Sequence, residues 1–156
     1  MRAAMLACLG IGIATTLAVH GQTAPARQPF TVVEASISEM RRAMEQRRTT
    51  SREIVEQHLV RIALYEDRLN AIIAVNPAAL REAEALDRER AQGQVRGPMH
   101  AIPIALKDNI HTLDMPTTGG NIAFAGTYPP HDATIISKLR AAGAIVLLKT
   151  NMDEFA

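Results

Sequence analysis

Two lysines each close a short apolar run. Lys107 follows residues 101–106 (AIPIAL) and precedes Asp108 and Asn109; Lys149 follows residues 144–148 (AIVLL) and precedes Thr150 and Asn151. Runs of this length and character read as strands buried on both faces. In parallel sheets, ligand sites gather beyond the carboxyl ends of the strands. A lysine placed there and partly withdrawn from water has its pKa lowered, because desolvation penalises the charged form, and it can then act as a general base. The same position equally suits a lysine that reaches back to solvent. The repetition at Lys149 means that the pattern alone does not single out Lys107.

The other candidates carry less. The serines Ser36, Ser38, Ser51 and Ser137 fall in or at the start of expected helices, and none sits on the Gly-rich strand-to-helix turn that presents a nucleophile. His58, His100, His111 and His131 lack metal-binding spacing and cysteine partners, so no metal site is expected. Residues 117–120 (TTGG) read as a loop, with weak anion-binding potential in their backbone N–H groups. The single cysteine, Cys8, falls in the N-terminal apolar segment, which excludes an internal disulfide or a thiolate site in the remainder.

The elements that must position these residues follow from periodicity and punctuation. Ile37, Met40 and Met44 recur at helical spacing. Thr50 and Glu53 form a capping box ahead of a helix whose apolar face holds Ile54, Val55, Leu59 and Ile62. Residues 69–75 form a short strand or extended segment, ended by Asn76-Pro77. Residues 78–92 form a helix that Gly93 stops. After Gly97-Pro98 comes the first apolar strand. Asp132 then caps a helix running to Ala142, Gly143 stops it, and the second apolar strand follows. Strand, helix and strand in that order predict a right-handed parallel crossover. Two strands alone cover neither sheet face, so the chain is expected to be the first part of a larger α/β domain.

The beginning of the chain differs in kind. Met1-Arg2 gives a positive start, residues 3–19 are uncharged and mostly apolar, and a small residue, Gly21, precedes a polar, Pro-containing stretch. This is the layout of a secretory signal peptide over residues 1–21, followed by a flexible leader over 22–29 and a globular part over 30–156. The rival reading, an uncleaved anchor, is disfavoured by the length of the run and by Thr15 and Thr16. Lys plus Arg number 17, one of them Arg2, against 16 Asp plus Glu, so the part after residue 21 is formally neutral. That balance argues against a nucleic-acid or anionic-membrane partner.

From residue 97 onward the sequence contains GPMHAIPIALKDNI at 97–110, TTGG at 117–120, DATIISKLRAAGAIVLLKTN at 132–151 and DEFA at 153–156. These words, in this order and spacing, resemble the amidase-signature family, and the helical words TSREIV and RLNAII extend the likeness to residues 36–92. The resemblance implies an α/β fold: N-terminal helices plus the first part of a mixed or parallel sheet, truncated. It also implies a Ser–Ser–Lys amide hydrolase working through an acyl-enzyme, which converts a carboxamide to a carboxylate and ammonia or an amine. Lys107 takes the role of the triad lysine by its place in IALKDN, and Asp108 and Asn109 support the site locally. Both serines of the triad are expected downstream of DEFA, which leaves residues 1–156 an inactive part of the enzyme.

No metal or organic cofactor is implied, and the partner is a small-molecule amide. The signal read at residues 1–21, once cleaved, is expected to place the protein in the periplasm or outside the cell. The sequence departs from the family's words at Ala101, where Gly is usual, at Asn121, where Ser often follows TTGG, and at Leu148, where Gly is common. Two alternatives remain: the subunit of a transfer-RNA-linked amidotransferase, against which the export signal weighs, and a non-catalytic binding protein on the same fold.

Overall fold

The computed structural model describes residues 29–153. The signal and most of the leader read from the sequence lie outside these residues, as does all but the first residue of the DEFA word. Among the described residues four helices and three strands follow in the order α1 (Ile37–Glu45), α2 (Ser51–Leu69), β1 (Ile72–Val75), α3 (Ala79–Ala91), β2 (Pro103–Lys107), α4 (Thr134–Ala141) and β3 (Ile145–Thr150). A single 3-10 turn, Ile122–Phe124, lies between β2 and α4.

Local chemistry sets the helix starts. At α1, Ser36 Oγ accepts from the Glu39 N–H at 3.2 Å while the Glu39 carboxylate accepts from the Ser36 N–H at 2.8 Å. Thr50 and Glu53 repeat the reciprocal pair at α2, at 3.1 and 2.9 Å. Each pair satisfies two N–H groups that the helix itself leaves open. The Asp87 carboxylate of α3 accepts from the next two N–H groups of α2, those of Ser51 and Arg52. That contact ties the start of α2 to α3. Asn70 ends α2 in the left-handed region, at φ 49°.

The sheet has the order β1-β3-β2, with β3 central. β2 pairs with β3 in parallel, as the two apolar runs predict, while β1 pairs with β3 antiparallel, which makes the sheet mixed. The main core, on the face covered by α1 to α3, gathers Met40, Met44, Ile54, Val55, Ala83, Ile145, Leu147 and Leu148. A smaller core on the α4 face gathers Leu106, Met115, Ile136 and Val146. Register slips between β2 and β3: Ile104 faces Val146, but Ala105 faces Leu148, which leaves Leu147 as an extra residue. Such an insertion interrupts the two-residue alternation of side chains.

One expected cap is absent. Asp132 lies one residue too early: α4 begins from Ala133 without a side-chain cap. The Asp132 carboxylate instead accepts from the Leu113 N–H at 2.8 Å and stands 3.1 Å from Arg140 Nε. Arg140 also reaches Asp114 at 2.6 Å, so the carboxylates of two loops share one guanidinium. Among the described residues no helix is long and apolar enough to cross a membrane.

The chain enters β2 through a tight contact. Ala101, fully buried, has φ 68° and donates its N–H to the Gly143 carbonyl at 2.7 Å. Its own carbonyl accepts from Ser51 Oγ at 2.8 Å. A left-handed conformation costs a non-glycine residue roughly 1–2 kcal/mol, which suits the Gly that the resemblance leads one to expect at this position. Gly143, at φ 85°, has no room for a side chain, because a Cβ there would stand 3.0 Å from the His100 Cα.

His100 itself is 1% exposed, with Nε2 3.1 Å from the Leu86 carbonyl and Nδ1 accepting from the Arg96 N–H. Burial holds its pKa below the ordinary 6.5, opposed by the Leu86 carbonyl and Glu89 and reinforced by Arg90 and Arg96. His58 is shifted in the same direction by burial and by Arg61. A histidine depressed in this way binds fewer protons folded than unfolded. Its contribution is therefore intact above about pH 6.5 and is lost as pH falls through the lower folded value. Thermal denaturation should show Tm falling between about pH 7.5 and pH 5.5, and a His100→Asn variant should show a flatter dependence. An equal slope in that variant would remove His100 from the account.

Candidate active site

β2 and β3 end side by side, with Lys107 facing Thr150 in register. Two different lysine environments form there. Lys107 is half-buried, and its Nζ donates to the Asn151 carbonyl at 3.3 Å in a solvent-accessible setting. Asn151 is itself fixed, donating its N–H to the Ala71 carbonyl at 2.7 Å and its side-chain amide to the Asn70 carbonyl at 2.9 Å. The αL turn that ends α2 thus holds the acceptor of the Lys107 ammonium.

Lys149 is fully buried. Its Nζ donates to Thr117 Oγ1 at 2.9 Å, to the Pro116 carbonyl at 3.3 Å and to Asp108 Oδ1 at 3.3 Å. The lysine withdrawn from water is therefore Lys149, a role that the repeated strand-end pattern did not reveal. Burial pushes the Lys149 ammonium below its ordinary range, and the Asp108 carboxylate works against that shift.

Asp108 is also fully buried. Its Oδ2 accepts from the Thr118 hydroxyl, from the Thr118 N–H at 2.9 Å and from the Gly120 N–H at 3.4 Å. Its backbone donates to the Thr150 carbonyl at 3.2 Å and accepts from the Gly119 N–H at 3.1 Å. Burial alone would raise the carboxyl, but the donors from Thr118 and Gly120 and the charge of Lys149 outweigh it and hold the group below the usual carboxylate range. The TTGG loop is thereby folded onto the strand ends through Asp108. Gly120, at φ 72°, has no space for a Cβ, which would stand 2.9 Å from the Met152 side chain.

Of the three residues expected at the site, Lys107 and Asp108 flank one strand end on opposite sides, and Asn109 is exposed just beyond. A groove lined by Tyr65, Leu69, Ile104, Ala105 and Leu148 opens between α2 and the sheet. Ala105 lies two residues before Lys107 and so shares its face of β2. Leu148, at a position where Gly is usual in the resemblance, fills part of that groove and is 7% exposed. Asn121 caps the 3-10 turn by accepting from the Ala123 N–H at 2.9 Å.

The serines stand as expected from the sequence. Ser36 caps α1, Ser38 and Ser137 are exposed on α1 and α4, and Ser51 is spent on the Ala101 carbonyl. Among the described residues, no group of three His, Cys, Asp or Glu side chains is arranged to hold a metal ion.

Comparison with known proteins is consistent with this geometry. The Amidase family model matches residues 53–156. The A-type subunit of the glutamyl-tRNA(Gln) amidotransferase of Salinispora arenicola is 45% identical over 109 residues, covering 69% of this chain and 22% of that protein. Among solved structures, the peptide amidase of Stenotrophomonas maltophilia superposes with a TM-score of 0.75 at 42% identity, over 79% of this chain and 26% of that one. A bacterial aryl acylamidase of the amidase-signature family superposes with a TM-score of 0.68 at 25% identity, over 75% of this chain and 25% of its own. The chain spans about a quarter of the length of the relatives it matches.

Proposed function

The chain belongs to the amidase family, and from that premise we propose that the complete protein hydrolyses a small carboxamide to a carboxylate and ammonia or an amine, with Lys107 as the base of a Ser–Ser–Lys triad. The observation that carries this reading is the placement of Lys107. It stands at the carboxyl end of a parallel strand, half-buried, with its ammonium aimed by a fixed carbonyl and, among the described residues, in no ion pair with a carboxylate. A base must exchange protons during turnover, and an amine locked in a buried ion pair is a poor candidate for that work. In this reading one serine attacks the amide carbon and expels the amine, and a second relays the proton to and from Lys107. The ester that forms is then released by water, with the charge on the carbonyl oxygen met by backbone donors. The resemblance puts both serines downstream of residue 156, so residues 1–156 expressed alone should release no ammonia from simple amides.

A second reading, an amidotransferase A-type subunit, is favoured by the curated relatives of that name. The start of the chain weighs against it, because a charged terminus, an apolar run and Gly21 suit export, which would carry the chain away from charged transfer RNA. Export to the periplasm or beyond predicts a mature N-terminus near Gln22. Mass spectrometry of the protein in the cell envelope or medium reads this directly, and an intact Met1 there would refute cleavage. Release of ammonia or amine from a panel of amides by the complete gene product tests the hydrolase reading. Activity that appears only with a partner protein and charged transfer RNA would establish the second reading instead.

A further inference from the structure

We propose that Asp108 and Lys149 act together as a positioning unit for Lys107, fixing both its direction and the TTGG loop beside it; this rests on the reading of Lys107 as the base. Three observations carry the inference. First, Asp108 follows Lys107 directly, and consecutive residues of a strand project to opposite faces. The carboxylate is held on the α4 face by Lys149, Thr118 and Gly120, and the Asp108 N–H continues the ladder to Thr150 one step past Lys107. Lys107 is left the opposite face, where the Asn151 carbonyl lies.

Second, Lys149 reaches Asp108 only because of the extra residue at Leu147. Strict alternation from Val146, which packs on the α4 face, would send Lys149 to the other face. The slip in register turns it inward at the one position where Asp108 waits. Third, the side-chain hydrogen bonds of the pair beyond each other go to the loop at residues 116–120, and the Asp108 backbone bonds Thr150 and Gly119. The pair joins the segment around Lys107 to the neighbouring loop, and leaves the centre of either core alone. An apolar pair of similar volume is often at least as stable as a buried ion pair, so this wiring supplies something besides cohesion. Misplacing a reacting group by about an ångström can cost about a hundredfold in rate.

The test uses the complete gene product and four variants, with kcat and KM measured by amine release, the pH–rate profile, and Tm. Asp108→Asn and Lys149→Met should each lower kcat by about tenfold or more, with KM little changed. The double variant Asp108→Asn/Lys149→Met removes both charges. It should regain Tm relative to the single variants but not kcat, and the pH–rate profile should differ from that of the parent. Thr118→Val removes only the hydroxyl donor, leaves both charges in place, and should lower kcat by a smaller factor without loss of fold. It carries the test should the charge variants fail to fold. If the double variant recovers kcat along with Tm, or if Thr118→Val keeps normal kcat and pH profile, the pair is structural and the proposal is overturned. Lys107→Ala in the same series separates the two ideas. Full turnover in that variant removes the reading of Lys107 itself, whereas an inactive Lys107→Ala beside a fully active double variant removes only the positioning role.

Discussion

Replacing Lys107 by Ala in the complete protein should lower amide turnover by about two orders of magnitude or more, the usual scale for loss of a general acid–base group, while leaving Tm nearly unchanged. The two halves of this expectation have separate causes. Stability should hold because the side chain is half-buried and, among the described residues, makes a single hydrogen bond, to Asn151, whose own anchors to Ala71 and Asn70 do not involve Lys107. Activity should collapse because, among the described residues, no other amine stands where Lys107 does. Lys149, the other strand-end lysine, lies on the opposite side of the sheet and is committed to Asp108, Thr117 and the Pro116 carbonyl. For the same reason Lys149→Ala is no neutral comparison. Lys138, exposed on α4, is the better control, and Lys138→Ala should behave as the unaltered protein. Near-normal turnover in a folded Lys107→Ala protein would refute the assignment.

The two lysines show where reading the sequence succeeds and where it stops. Both apolar runs become strands, and they pair in parallel, because uninterrupted apolar residues over five or six positions have few other fates. The capping box at Thr50 is equally legible, since every partner lies within three residues, and the box that the structure adds at Ser36 has the same spacing. The difference between Lys107 and Lys149 depends on an extra residue at Leu147, and no local feature of AIVLLK announces a slip in register. A signal was nonetheless present. Five apolar residues before Lys149 mark a strand covered on both faces, and a lysine continuing it inherits that burial and needs a carboxylate, which Asp108 supplies from the adjoining strand end. Asp132 fails as a cap for a related reason: its carboxylate is claimed by Arg140 and the Leu113 N–H, neither of them close in sequence. The fold of residues 109–121 was not legible either, because the TTGG loop is held by a buried carboxylate and not by its own turn residues.

Removing one member of the buried pair should have the largest effect on stability of any change at the site. Lys149→Met, which keeps most of the side-chain volume, should cost about 3–5 kcal/mol, the range found when one partner of a buried ion pair is lost. Domains of ordinary stability hold only about 5–15 kcal/mol in reserve. The cost arises because Asp108 stays ionised and unable to reach water: its Oδ2 is surrounded by donors from Thr118 and Gly120 that favour the charged form, while the Oδ1 that faced Lys149 loses its partner. Adding Asp108→Asn should recover most of the loss. The amide oxygen can still accept from Thr118 and Gly120, and its NH2 turns toward the Thr117 hydroxyl and Pro116 carbonyl that the ammonium vacates. Urea denaturation of the single and double variants measures both steps, with the midpoint interpreted at constant m-value. A Lys149→Met protein as stable as the parent would mean that water reaches Asp108 freely, and a double variant no better than the single would mean that the hydrogen bonds to Pro116 and Thr117, not the charge on Asp108, are what Lys149 maintains.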